Sequence, residues 1–251
     1  MTTEWNAPAI VLAARPHGEG GAVITLLTEA RGRHAGLSKG GASRGQAALW
    51  QPGNLVEVRW VARLPEQLGH LTGEMVHATA SMALDDPLAL SVLTAACAVA
   101  DGALPERIAH PGSFHDLVGV IAALARGPEH ALPLLVHWEA TLLAELGYGL
   151  DLTACAATGA TENLTHVSPK SGRAVSAEAG APYADRLLPL PGFLRDPTQP
   201  SDAREWLAGL RLTGFFLTRD AFGLQHRPLP QAREMLQDRL TVMTGPTSNG
   251  Q

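Results

Sequence analysis

Residues Leu55–Arg63 read LVEVRWVAR. Val56, Val58, Trp60 and Ala62 fall at every second position, with Glu57, Arg59 and Arg63 between them. A strand turns successive side chains to opposite faces, so this stretch predicts a strand with one apolar and one charged face. Working outward, Ala9–Ala14, Ala22–Leu27, His34–Ser38 and His70–Ala78 have strand length. Gly18, Gly20, Gly21 and Gly32 mark turns between them, where a residue without a Cβ tolerates positive φ. Five short strands, with a longer connection at Gly40–Asn54 between the third and fourth, suit a small five-stranded barrel of the OB type. One sheet of a sandwich fits the same pattern.

After Ala78 the pattern changes period. Asp86-Pro87 opens an Ala/Leu-rich helix reaching about Ala100. Ser113, with Asp116 three residues on, reads as the N-cap of a helix carrying Phe114, Leu117, Val118, Ile121 and Leu124. Leu134, Leu135, Trp138 and Leu142 mark another helix, with Gly147 as its C-terminal cap. Ser201–Leu217 and Gln231–Leu240 are two more, while residues 151–192 read as irregular. The fold class is therefore α+β: a barrel followed by a helical bundle whose apolar stripes are core. The tail, Gly245–Gln251, reads as disordered.

With 19 basic and 24 acidic residues the chain carries a formal charge of -5. The window Arg31–Arg63 opposes that background, with six basic residues (Arg31, Arg33, Lys39, Arg44, Arg59, Arg63) and one acidic residue, Glu57. Such a local field suits an anionic polymer, because neutralised phosphates release condensed counterions. A solvated charged face is the plainer reading. No run of about 18 apolar residues predicts a membrane span. Met1-Thr2-Thr3-Glu4-Trp5 lacks the pattern of a secretion signal, so a reducing cytoplasm is the expected compartment for Cys97 and Cys155.

Gly41-Ala42-Ser43-Arg44-Gly45 matches the Gly-x-Ser-x-Gly of hydrolases, but that motif works on a strand-to-helix turn of a parallel sheet, which this pattern does not build. No phosphate-cradling Gly-rich motif occurs. The expectation is a non-enzyme without a bound cofactor. Trp50 and Trp60 flank the basic window. Trp60 shares the core face of Val56 and Val58, whereas Trp50, in the connection, is a candidate to stack on bases. Cys155-Ala156-Ala157-Thr158-Gly159 looks like one knuckle of a zinc ribbon with its second cysteine replaced, and Ser168–Ser176 like the other with both gone. One thiolate does not hold structural zinc, so no metal is expected.

Gly20–Ser38 (GGAVITLLTEARGRHAGLS), Gly40–Arg44, Gln51-Pro52-Gly53 and Leu68–Glu74 together resemble the N-terminal barrel of the RecO family of bacterial recombination mediators. Gly147–Leu152, Cys155–Gly159, Val167–Gly180 and Leu187–Pro191 resemble its C-terminal half, in the branch whose zinc ribbon has lost its ligands. The resemblance implies an OB-fold DNA-binding domain over 1–78, a helical domain over 79–150 and 193–244, and a degenerate ribbon inserted at 151–192. It implies binding to single- and double-stranded DNA, strand annealing, and loading of a recombinase onto DNA coated by single-strand-binding protein. It further implies the mediator RecR as a partner, a nucleoid-associated place in the cytoplasm, and capture of the acidic, apolar C-terminal tail of single-strand-binding protein. Lys170, Arg173 and Arg186 are then candidates to receive that tail, and Arg31, Arg33, Lys39, Arg44, Arg59, Arg63 and Trp50 to contact DNA. The basic cluster is thinner than the family's, with Gly40-Gly41-Ala42-Ser43 where more Arg and Lys are usual. The competing reading is an adaptor whose barrel holds proteins instead of DNA.

Overall fold

A computed structural model describes residues 2–245; most of the tail set apart above, 246–251, lies outside the described residues. The strands β1 (Thr3–His17), β2 (Gly21–Thr28) and β3 (Gly32–Ser38) are followed by a short helical turn, α1 (Arg44–Ala47), and then by β4 (Leu55–Ala62) and β5 (Gly69–His77). The strand order is β1-β2-β3-β5-β4, and β4 returns to pair with β1, so the sheet closes on itself in an OB-like arrangement. β1 serves both neighbours. Its first half, Thr3–Ile10, pairs with β4, and Ile10–His17 pairs with β2, with a bulge between Val11 and Ala13 that bends the strand from one partner to the other. The sequence pattern caught only the second half of β1, because Asn6 and Pro8 interrupt the apolar run.

The closing pair is β3 with β5, parallel and only two residues long: Gly36↔Gly69 and Leu37↔His70. Both glycines are required by the Trp60 indole that fills the barrel. A Cβ on Gly69 would stand 2.3 Å from that ring, and one on Gly36 would stand 3.1 Å from it. Trp60 donates its Nε1–H to Ala35 O at 3.0 Å and stacks on Trp5.

The His34 ring stands perpendicular to both indoles, 94% buried, with neither ring nitrogen hydrogen-bonded. Burial, and secondarily the cations Arg107 and Arg31, push its pKa down to about 4. The unfolded chain, with an ordinary histidine pKa near 6.5, therefore binds the extra proton first. This contribution is fully present above about pH 6.5 and fades as pH falls towards 4. We expect the melting temperature to drop across that window, and less steeply in His34→Phe than in the parent. Parallel pH profiles would refute the assignment.

The helical part comprises α2 (Thr79–Ala83), α3 (Pro87–Ala103), α4 (Pro111–Leu124), α5 (Pro128–Glu145), α6 (Ala177–Gly180), α7 (Ala203–Phe216) and α8 (Gln231–Thr244). Asp86 caps α3, accepting from Leu88 N and Ala89 N. Ser113 is not the N-cap that its spacing suggested. It lies inside α4, buried, and Glu145 at the end of α5 accepts from Gly112 N, Ser113 N and the Ser113 hydroxyl. The helix start is capped by a residue 32 positions away.

Residues 151–192 are not irregular. They hold β6 (Leu164–Val167), β7 (Ala174–Ser176) and β8 (Leu188–Pro189) in a small sheet of order β7-β6-β8. Strands of two to four residues carry too little alternation to be read from sequence.

Two apolar cores result. One fills the barrel, around Trp60, Val56, Val58, Ile24 and Leu26. The other is helical, and the outward-facing barrel residues Ile10, Leu12 and Leu27 join it. The seam between them is polar as well: Arg33 donates to Leu104 O at 2.8 Å, and Asn54 bridges Ala48 O and Ala80 N. Among the described residues, no helix is long and apolar enough to cross a membrane.

Candidate nucleic-acid interface

Lys39 leaves the end of β3, and Arg44 opens α1 just beyond it. Both are exposed, as are Arg31, Arg59 and Arg63. Past Leu37↔His70 the strands β3 and β5 stop pairing, and a cleft of about 410 Å³ opens between them. Leu37, Lys39, Gln46, His70 and Thr72 line it, over a floor of Leu71 and Gly73. Extending the parallel register by two residues sets Lys39 level with Thr72. Thr72 in turn pairs across β4 with Arg59. One row of the outer face therefore runs Lys39, Thr72, Arg59. It ends at Glu57 and Glu74, which face each other one pair further along.

The six basic residues of the window do not form one surface. Arg31 and Lys39 sit beyond opposite ends of β3, about 25 Å apart along the strand direction. Arg33 is committed to the seam, bonded to Leu104 O and 3.5 Å from Asp101. Its half-buried guanidinium staples the barrel to the end of α3, which corrects its assignment to the open face. Arg59 pairs with Glu4 at 2.6 Å, and that carboxylate raises its pKa. Arg31 lies over the Trp5 ring, 5.8 Å from the centroid. Among the described residues Lys39, Arg44 and Arg63 stand outside the barrel's ion pairs, Arg15–Asp101, Arg33–Asp101 and Arg59–Glu4.

Trp50 is a second correction. It is 1% exposed and belongs to the barrel core, so it has no face to offer a base. The connection folds back through α1 and plugs the barrel with Leu49 and Trp50. Gly73 is bare because a Cβ there would come within 2.7 Å of the indole. Ser43, the hydrolase-motif serine, merely precedes α1 at its N-cap position, without a side-chain capping bond.

The family to which these features belong is settled by comparison. Residues 1–79 match the family model described as "Recombination protein O N terminal", and 84–228 match "Recombination protein O C terminal". The chain belongs to the RecO family. It is 52% identical over 242 residues to the "DNA repair protein RecO" of Granulibacter bethesdensis, covering 96% of this chain and 97% of that protein. The protein of the same description from Gluconacetobacter diazotrophicus is 51% identical over 244 residues, covering 96% of each. That from Acidiphilium cryptum is 53% identical over 241 residues, covering 95% of this chain and 96% of its own length.

In this RecO family chain the ribbon's donor set does not fit zinc. Cys155 is 1% exposed, and its Sγ accepts from Ser176 N at 3.3 Å. Hydrogen bonds from the Ser176 and Thr158 hydroxyls pull its pKa down to about 6. One thiolate with two hydroxyls is not the set of Cys and His ligands that structural zinc requires, and among the described residues no three His, Cys, Asp or Glu side chains converge. Val167, Ala174 and Leu164 pack the ribbon into the helical core instead. We expect less than about 0.1 zinc per chain by elemental analysis and no change in melting temperature with chelator; about one zinc per chain after dialysis would overturn this.

Of the residues assigned to the partner tail, Lys170 is exposed at the turn between β6 and β7, Arg173 pairs with Asp151 at 3.2 Å, and Arg186 ends the exposed 3₁₀ turn Ala181–Arg186. They do not share a groove. Sequence reasoning missed the groove that does exist, a cleft of about 430 Å³ between α7 and α8 lined by Arg211, Phe215, Thr218, Arg219 and Leu229. Arg219 lies over Phe216 and Phe215 and donates to Pro169 O, next to Lys170. Spacing offered a signal: Arg211, Phe215 and Arg219 stand four apart, on one helical face.

Proposed function

We propose that this chain is a DNA-binding recombination mediator. It binds single- and double-stranded DNA, anneals complementary strands, and helps a recombinase load onto DNA coated by single-strand-binding protein, without breaking covalent bonds. The observation that carries this reading is the row of Lys39 and Arg59 on an OB-like barrel, joined by Arg44 beside a cleft without carboxylates. Membership of a family whose curated relatives are described as DNA repair proteins supports it. Phosphate contacts carry no base information, so binding is nearly independent of sequence. Fluorescence anisotropy of labelled oligonucleotides, titrated over salt, tests it: affinity falls linearly on log–log axes. Absence of binding at low salt would leave the adaptor reading, which the existing pairs of Arg33 and Arg59 favour. On either reading the mediator RecR and the recombinase are functional partners, and the site of action is the nucleoid in the cytoplasm.

The same proposal places the acidic tail of single-strand-binding protein in the α7–α8 groove. Arg211 and Arg219 receive carboxylates there, and Phe215 and Leu229 form the apolar wall for an aromatic terminus. Lys170 borders this groove through Pro169, whereas Arg173 and Arg186 are not in its wall. In the full chain, Phe215→Ala should weaken a tail peptide about tenfold, and Arg186→Ala should leave it unchanged. The reverse order would move the site to the ribbon.

A further inference from the structure

We propose that the cleft between β3 and β5 takes one unstacked nucleotide of a single strand, and so favours single-stranded over duplex DNA. This rests on the DNA-binding reading above and adds residues to it. The walls set this cleft apart from four others. Those carry Glu234 (two of them), Asp220, Asp196 or Asp101, whereas this one has no carboxylate. Its volume, about 410 Å³, lies within the range of about 300–1,000 Å³ typical of small-ligand pockets.

The chemistry of the lining fits a base and its phosphate. Leu37 and His70 are paired neighbours on the outer face, and together they offer a platform for a flat ring. The Gln46 amide and the Thr72 hydroxyl stand in the same walls. Each both donates and accepts, so each can meet the edge of any base. The Lys39 ammonium completes the rim and takes the adjoining phosphate, with Arg59 next in the row beyond Thr72. A duplex keeps its base edges paired and its bases stacked, so it contacts only the rim.

A peptide strand added to the sheet is the other occupant such a gap could invite. The β3 edge does not support it, because Gly41 N already donates to Ser38 O and folds the chain across that edge.

The test uses the full chain with Gln46→Trp, which fills the cleft without altering charge, and with His70→Ala, which removes half of the platform. Both residues are exposed, and unchanged melting temperature verifies the fold. Affinity for oligothymidylate should fall about 5- to 30-fold, and affinity for duplex should change less than about twofold. Equal losses on both substrates, or no loss on either, would overturn the cleft assignment while the parent's salt-dependent binding keeps the DNA reading intact. A parent that binds neither substrate overturns the DNA reading itself. Loss of acidic-peptide binding, with oligonucleotide binding preserved, would give the cleft to a protein and also overturn the proposal. If Gln46→Trp does not fold, His70→Ala decides alone.

Discussion

Glu139→Ala should destabilise the helical part by about 3–5 kcal/mol, the largest stability effect expected of any single change in this chain. Glu139 of α5 and Arg233 of α8 are both wholly buried and bond in a fork, Nε to Oε1 at 2.5 Å and Nη2 to Oε2 at 3.0 Å. Thr213 of α7 donates its hydroxyl to the same carboxylate, and Arg233 Nη2 also donates to Leu210 O at 2.7 Å. One ion pair thus ties three helices. Removing the carboxylate leaves a guanidinium buried without a counter-charge, a cost that is a large share of the roughly 5–15 kcal/mol that holds a domain folded. Urea unfolding followed by tryptophan fluorescence measures it, with Trp138, adjacent to Glu139 on α5, as a reporter. The double replacement Glu139→Leu/Arg233→Met should recover most of the loss, because two apolar groups need no partners. A cost below about 1 kcal/mol for Glu139→Ala would show that water reaches the site, and the fork would then be no keystone.

That fork also shows where sequence reading stops. The barrel was legible because its rule is local: in β4 every second residue is buried, so LVEVRWVA announces both strand and face. Helix existence was legible for the same reason, from apolar residues at helical spacing and from Asp86 beside Pro87. What needed the structure was any partner distant in sequence. Ser113 looked like a cap, but the capping carboxylate belongs to Glu145. Arg33 looked like a free cation, but its partners, Leu104 O and Asp101, lie about 70 residues on. Trp50 looked exposed because the connection around it has no period, and only the fold-back through α1 puts it inside the barrel. Charge composition located the basic window, whereas strand register decides which of its members share a row.

The sharpest functional consequence of that register is the behaviour expected of Lys39→Ala/Arg44→Ala. These two exposed cations flank the cleft and stand outside the barrel's ion pairs, so each is available to a phosphate. Each lost phosphate contact lowers the slope of log affinity against log salt by about 0.7 for single strands and about 0.9 for duplex. Losing two flattens the slopes by about 1.4 and 1.8, which at roughly 0.1 M salt corresponds to about 25-fold and 60-fold weaker binding. The loss should be the same for all sequences, because phosphates are all alike. Stability should change by about 0.5 kcal/mol or less, as for other surface substitutions. Arg59→Ala should cost less than either residue of the pair, since Arg59 must first leave Glu4 to reach a phosphate. Arg33→Ala should lower the melting temperature and leave the salt slope unchanged, because its bonds are to Leu104 and Asp101. These contrasts separate the row from the window: if all six basic residues acted as one field, Arg33→Ala would flatten the slope as much as Lys39→Ala does. A folded double variant with the parent's affinity and slope would remove DNA from this face and give the barrel to a protein partner.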